Sequence, residues 1–366
     1  MATFQRRQTR SGKTRWFARV RVKGYPATSK SFDTKREAKE WAAETESKML
    51  SGQWRDTSLS ESTTVVEVLQ RFRECIIPQH KSATSEASHC RQLESEPAFA
   101  KLHLINLDKK RVALWRDQRL EQVGPATVVR ELGLLQQAIE YARDEWGLHL
   151  PENPVRGVRR PRLPSGRERR LSPDEERYLL EAMTRAPQAG RHGGQGGAVH
   201  RPRNVWLKPA FVLALETAMR RSELVSLRWE DVDLSQRVAT LWSTKNGDKR
   251  TVALSGKAVE TLQGLPRSIS GQVIQMTSSA LQQAWERARK RARKNYEQHC
   301  HSEGIPPRED FLMDLHWHDL RHEATSRLFE KELNLMEVAS ITGHKDPKML
   351  RRYTHMDSAR LAEKLA

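Results

Sequence analysis

The chain opens with a period of two. In Thr14-Arg-Trp-Phe-Ala-Arg-Val-Arg-Val22, Trp16, Ala18, Val20 and Val22 fall on one side and Arg15, Phe17, Arg19 and Arg21 on the other. That spacing predicts a strand with one face to bury. Gly24-Tyr-Pro26 can reverse the chain, and residues 27–32 can return as a second strand. The period then becomes helical. Thr34-Lys-Arg-Glu37 has the form of a capping box, in which hydroxyl and carboxylate each satisfy an amide of the first turn. Ala38, Trp41, Ala42, Thr45 and Met49 line one face of the helix it opens. A small sheet closed by one helix, residues 1–56, is the first expected unit.

Residues 62–155 read as all-helical, within a second expected unit of 62–160. Val65, Val68, Leu69 and Phe72 mark a helix over 64–76, and Val112, Leu114 and Trp115 another over 108–121. Gly124-Pro125 opens the strongest one, striped by Val128, Val129, Leu132, Leu135, Ile139, Ala142 and Trp146. Residues 155–170 hold seven arginines, two prolines and two glycines. With little to bury, they predict an inter-domain linker that lies along a phosphate backbone. Ser172-Pro-Asp-Glu175 restarts a helix and with it a third unit, 170–366. Within it, 186–204 reads as a surface loop rich in Gly, His and Arg. Helices follow over 205–216 and 221–227. Val238-Ala-Thr-Leu-Trp242 and Arg250-Thr-Val-Ala-Leu254 then flank the tight-turn pair Asn246-Gly247 as a hairpin, and helices run to the end. The expected fold class is multidomain, mainly α with small β elements: sheet plus helix, a helical middle and a mixed α+β third domain.

Charge gives this architecture a partner. The net charge is +18, from 64 Lys+Arg against 46 Asp+Glu, so a polyanion will bind. Residues 1–30 carry nine basic groups and no acid, which favours DNA for the first sheet, with Arg15, Arg19 and Arg21 on its reading face. Arg159 and Arg160 of the linker are the further DNA-binding candidates. No apolar run suits a membrane, no secretory signal opens the chain, and Cys75, Cys90 and Cys300 suit reduced thiols. The composition suits a soluble, intracellular protein that faces nucleic acid. Gly12-Lys-Thr14 lacks the first glycine of a P-loop, and His322-Glu323 lacks the second histidine of a zinc peptidase, since Ser326 stands there. His299, Cys300, His301 and His316 lack zinc-site spacing. No metal and no cofactor are expected.

Six scattered residues form a chemically coherent set: Arg220, Lys245, His318, Arg321, His344 and Tyr353. Taken singly, each suits a bland role on a surface or in a core. Their contexts change the odds. Glu216-Thr-Ala-Met-Arg220-Arg-Ser-Glu223 resembles the first arginine box of tyrosine recombinases of the phage-integrase type. His318-Asp-Leu-Arg321-His-Glu-Ala-Thr resembles their His-x-x-Arg box. Thr342-Gly-His344, followed by Tyr353 in Leu-Arg-Arg-Tyr-Thr-His355, resembles the box of the last histidine and the nucleophile. Lys245 in Ser-Thr-Lys-Asn-Gly sits where the family keeps its hairpin lysine. The order and gaps match over residues 172–360. The first unit resembles the family's arm-type DNA-binding domain and the second, by position and helix content, its core-binding domain. Two departures stand out: Ala218 where glycine is usual, and Thr342 where leucine is commoner.

The resemblance implies a site-specific recombinase that cleaves and rejoins DNA through a 3′-phosphotyrosine without ATP. Arg220 and Arg321 would fork the phosphate oxygens. His318 would help the phenolic proton leave, His344 would donate to a phosphate oxygen, and Lys245 would protonate the departing 5′ oxygen. Glu223 would orient an arginine. Integration or excision of a prophage or mobile element is the expected role, because the arm module is present. Xer-type resolution of chromosome dimers and a non-catalytic DNA-binding protein are the alternatives. The expected partner is double-stranded DNA at attachment-type sites, bound by a homotetramer. Room is left for a host DNA-bending protein and a directionality factor. Leu361 and Leu365 of the tail are candidates for packing on a neighbouring protomer.

Overall fold

The computed structural model describes residues 2–8, 13–99, 101–184, 204–242, 249–267 and 269–353. Lys245, the Asn246-Gly247 turn, the loop up to residue 203 and the tail with Leu361 and Leu365 lie outside the described residues. The chain divides into two compact units, Met1–Ser165 and Gly166–Ala366.

In the first unit, β1 (Ala2–Gln8), β2 (Thr14–Val20) and β3 (Thr28–Phe32) form an antiparallel sheet in that order. The alternation of β2 does what its spacing requires. Ala18 and Val20 are fully buried, while Arg15 and Arg19 stay exposed. Helix α1 (Lys35–Leu50) closes the apolar face with Ala38, Ala42, Thr45 and Met49. Thr34 accepts from the Glu37 amide at 3.2 Å. Strand β1 is an addition to the expected pair. Its sequence has no strong alternation, and it is held by ladder bonds to β2, with Ala2 opposite Val20 and Gln8 opposite Thr14.

The rest of this unit is α2 (Ser58–Ser62), α3 (Val65–Cys75), α4 (Ala83–Glu94), α5 (Lys109–Leu120) and α6 (Pro125–Asp144). They enclose a second core, distinct from that under the sheet, around Phe72, Phe99, Trp115, Leu132 and Ile139. Helix α4 carries no clear sequence signal because it buries only Cys90 and Leu93. Leu114, expected in the stripe of α5, is instead 60 % exposed.

The arginine-rich stretch corrects its reading as a linker with little to bury. Val155 and Val158 are in the second core. Arg156 pairs with Glu140 at 2.6 Å, and Arg160 donates to the Val129 carbonyl and Gln136. Two apolar residues among arginines give too short a run for periodicity to show.

The second unit begins with residues whose arginines are anchored in it. Arg167 binds Asp314 and Asp319, Arg169 binds Glu175, and Arg170 binds Glu323 and Glu330. Then come α7 (Pro173–Thr184), α8 (Leu207–Thr217), α9 (Arg221–Ser226) and an antiparallel sheet β4 (Val232–Asp233), β5 (Val238–Leu241), β6 (Arg250–Ala253). Helices α10 (Gly256–Gln263), α11 (Ser278–Ser302), α12 (Asp319–Glu330) and α13 (Leu335–Thr342) follow. Trp285 of α11 anchors the core, stacked on Phe211 and edge-on to Trp317. Among the described residues no helix is long and apolar enough to cross a membrane.

Candidate active site

Helix α8 ends at Ala218 in the left-handed conformation, φ 52°. An L-residue pays for that conformation, and glycine does not. This is the physical reason that glycine is usual at this position in the family the sequence resembles. The turn carries Arg220 to the start of α9, where the Glu223 carboxylate receives the Arg220 amide at 2.8 Å and its Nη1 at 2.7 Å.

Glu223 holds a second arginine, which sequence reasoning missed. Arg250, opening β6, donates Nη1 and Nη2 to the two Glu223 oxygens at 3.1 and 2.8 Å. A charged residue at the head of an otherwise uncharged strand was the available signal. Burial would raise the Glu223 carboxyl, but the Arg220 amide and the two arginine charges outweigh it and hold it below the usual range.

Arg321 stands on α12 and is 4 % exposed. Its Nη1 and Nη2 donate at 2.6 Å to the carbonyls of Ala218 and Thr342, so the plane of its fork is fixed by the ends of α8 and α13. Burial, then the Arg220 and Arg250 charges, push its pKa down to about 9, and it remains a cation at neutral pH. Gly343 ends α13 with φ 72°, and a Cβ there would lie 2.5 Å from Arg250 Nη1. Glycine is favoured on both counts.

Thr342, the second departure from the usual pattern, has a function of its own. Its hydroxyl donates to the Val338 carbonyl at 2.6 Å, and His344 Nδ1 lies 2.7 Å from the same oxygen. A hydroxyl has one proton, so Nδ1–H is the donor in the second contact and Nε2 is left for a ligand. Burial, then Arg321 and Arg220, push the His344 pKa down to about 4. His318, beside the start of α12, is lowered too, first by burial and then by Arg321.

Tyr353 lies in a short 3-10 turn, Arg351–Tyr353. Its hydroxyl is hydrogen-bonded to His322 Nδ1, and the Arg352 guanidinium lies 5.1 Å from its ring centroid. Burial raises the phenol above its ordinary value, while the Arg352 and Arg321 charges oppose the rise. The turn, α12, α13, β6 and the α8–α9 corner thus bring Tyr353, Arg321, Arg220, His344 and His318 within one another's electrostatic reach, directly or through a shared neighbour. The ring that bonds the phenol is His322, and His318 stands edge-on to that ring at 5.0 Å.

The arm candidates occupy the other unit. Arg15 pairs with Asp33 at 2.9 Å, and Arg7, opposite Arg15 across the ladder, stacks over Phe17 at 4.3 Å. Arg19 is exposed on the same face, whereas Arg21 lies just past the strand. Arg159 is exposed, and its carbonyl accepts from Arg116.

Residues 169–360 match the phage integrase family. A shufflon-specific DNA recombinase of Escherichia coli is 41% identical over 263 residues, which cover 69% of this chain and 59% of that protein's length. A Haemophilus influenzae protein described as an integrase/recombinase is 30% identical over 341 residues, 92% of this chain and 83% of that one. The fold is similar to that of lambda integrase, solved as a tetramer bound to a Holliday junction. The TM-score is 0.62 at 18% identity, with 95% of this chain and 94% of that chain covered. The chain belongs to the phage integrase family, the site-specific tyrosine recombinases.

Proposed function

We propose that this recombinase cleaves and rejoins double-stranded DNA at attachment-type sites through a 3′-phosphotyrosine on Tyr353, in the integration or excision of a prophage or mobile element. The observation that carries the reading is a cluster of arginines whose orientations are fixed from behind, one of which, Arg321, acts on the charge of the Tyr353 phenol. Glu223 braces Arg220 and Arg250, and two helix-end carbonyls brace Arg321. Arginines fixed in advance lose little freedom on meeting a phosphate, which is how an electrostatic site stabilises a five-coordinate state. Arg321 spends two of its five N–H groups on the fold and keeps three for the scissile phosphate. In this mechanism Arg220 and Arg321 clamp the non-bridging oxygens, His344 meets one of them through Nε2, and Lys245 protonates the leaving 5′ oxygen. His318 acts from behind His322, the ring that bonds the phenol, and Glu223 positions the arginines.

The two separate cores of the first unit support an arm-type module in 1–56 and a core-binding module in 62–160. Assembly on DNA as a homotetramer follows the arrangement solved for lambda integrase. The likeness to the shufflon-specific recombinase supports a second reading, rearrangement between sites within one element. Offering the sites inverted on one molecule or on separate duplexes distinguishes the two. Chemistry is tested by Tyr353→Phe, which should bind DNA as the wild type does and trap no covalent adduct on a nicked duplex. An undiminished adduct overturns the assignment.

A further inference from the structure

Resting on the recombinase reading, we propose that His322 is a catalytic residue of strand cleavage: it accepts the hydrogen bond, and then the proton, of the Tyr353 phenol. The two rings lie 5.8 Å apart with an interplanar angle of 28°, and Tyr353 Oη meets His322 Nδ1. Arg352 Nη2 approaches the same Nδ1 at 3.4 Å. A guanidinium can only donate, and the tautomer that suits both contacts leaves Nδ1 bare, its lone pair shared between Arg352 and the phenol, with the proton of the neutral imidazole on Nε2. In that tautomer the phenol is the donor, its proton aimed at nitrogen before DNA arrives.

The surroundings keep that acceptor neutral. His322 is 9 % exposed, with His318 edge-on, Arg352 against it, and Arg321 and Asp319 close enough to act on its charge. Burial, then His318 and Arg352, lower its pKa to about 4, while burial raises the phenol. In the unliganded protein the proton stays on oxygen, and an idle enzyme carries no free phenolate. As the Oη–P bond forms, the phenolic oxygen gives up electron density and its proton passes to Nδ1. At the opposite face the P–O5′ bond breaks, and the 5′ oxygen takes a proton from Lys245. The phosphate starts and ends as a monoanion, and the second negative charge of the five-coordinate state between them faces the imidazolium that forms and stabilises it. In the reverse step a 5′-hydroxyl attacks phosphorus, the Oη–P bond breaks, and His322 returns its proton to Tyr353.

Two measurements test this on the full-length chain. Nitrogen-15 NMR of the histidines, assigned with His322→Asn, should show Nδ1 of His322 bare and Nε2 protonated; a protonated Nδ1 overturns the proposal. Single-turnover adduct formation is then followed on nicked duplexes built from the DNA flanking the protein's own gene. His322→Ala should bind that DNA as the wild type does and form adduct roughly 10²-fold more slowly, the usual scale of a lost proton acceptor. His322→Asn, whose amide oxygen takes the place of Nδ1 as acceptor but not as base, should fall between. His322→Gln, whose amide extends to the Nε2 position, should match alanine. Adduct at the wild-type rate from His322→Ala, or asparagine and glutamine behaving alike, overturns the proposal. Failure of the wild type to form any adduct instead removes the recombinase reading beneath it.

Discussion

Replacing Glu223 by glutamine, a change of one atom, should cost the second unit about 3–5 kcal/mol, the scale for a buried ion pair that loses one partner. The carboxylate accepts four hydrogen bonds from Arg220 and Arg250, at 2.7–3.1 Å, and its side chain is 3% exposed. An amide keeps one oxygen for these donors and turns an NH₂ group towards a guanidinium. Arg250, 9% exposed and with its Nε already unpartnered, has little water to turn to. Arg220 and Arg321, whose repulsion Glu223 offsets, also stand near one another. For a unit of this size the loss corresponds to about 6–20 °C in melting temperature. Thermal and urea unfolding of the full chain will read it, with an unchanged m-value as the sign that only stability moved. The double variant Glu223→Gln, Arg250→Met removes the stranded cation and should recover at least about half of the loss. A single variant within about 1 kcal/mol of wild type, or a double variant as poor as the sum of the singles, refutes the reasoning.

Two further outcomes follow from the same corner of the fold. Gly343→Ala places a methyl in a left-handed backbone and against Arg250, and should destabilise by about 2 kcal/mol or more while slowing cleavage. An unaltered urea midpoint would count against it. His322 and His344 each have a folded pKa of about 4 against an ordinary 6.5. Below pH 6.5 the unfolded chain binds protons that the fold refuses, so stability is complete above that pH and drains away as pH falls towards 4. The slope is at most about 1.4 kcal/mol per pH unit for each histidine, less for half-buried His344. Comparing urea midpoints at about pH 7.5 and 5 keeps clear of the carboxylate range. His344→Gln should flatten the dependence, and an unchanged slope rules out this histidine as a source of it.

What the sequence made legible follows from how each element is held. Strand β2, helix α6 and the capped start of α7 are specified by local periodicity and caps, so their positions could be read directly. Strand β1 and helix α4 are held by partners distant in sequence, and their own side chains bury little. The same division runs through the site. Arg220, Arg321, His344 and Tyr353 could be named because residue type and order carry the chemistry. Arg250 and His322 could not, because their roles depend on where β6 and the last turn place them. In sequence the pair His322-Glu323 is only a fragment of a zinc motif. In the fold Glu323 ties down Arg170 and Arg327, and His322 meets the phenol. Thr342 reads as a neutral replacement, and only the folded chain brings its hydroxyl to the ring whose tautomer it sets.

Arginines 167, 169 and 170 set the minimum length of any excised fragment. Asp319, Glu175 and Glu323 have side chains only 1–3% exposed, and these three arginines lie against them. A fragment cut at the first helix, Pro173, would keep every residue of the proposed site yet leave three interior anions short of their counter-ions, two of them on the helix that carries Arg321. Whoever trims this protein to its second unit should therefore start no later than Gly166, where the cations are still attached.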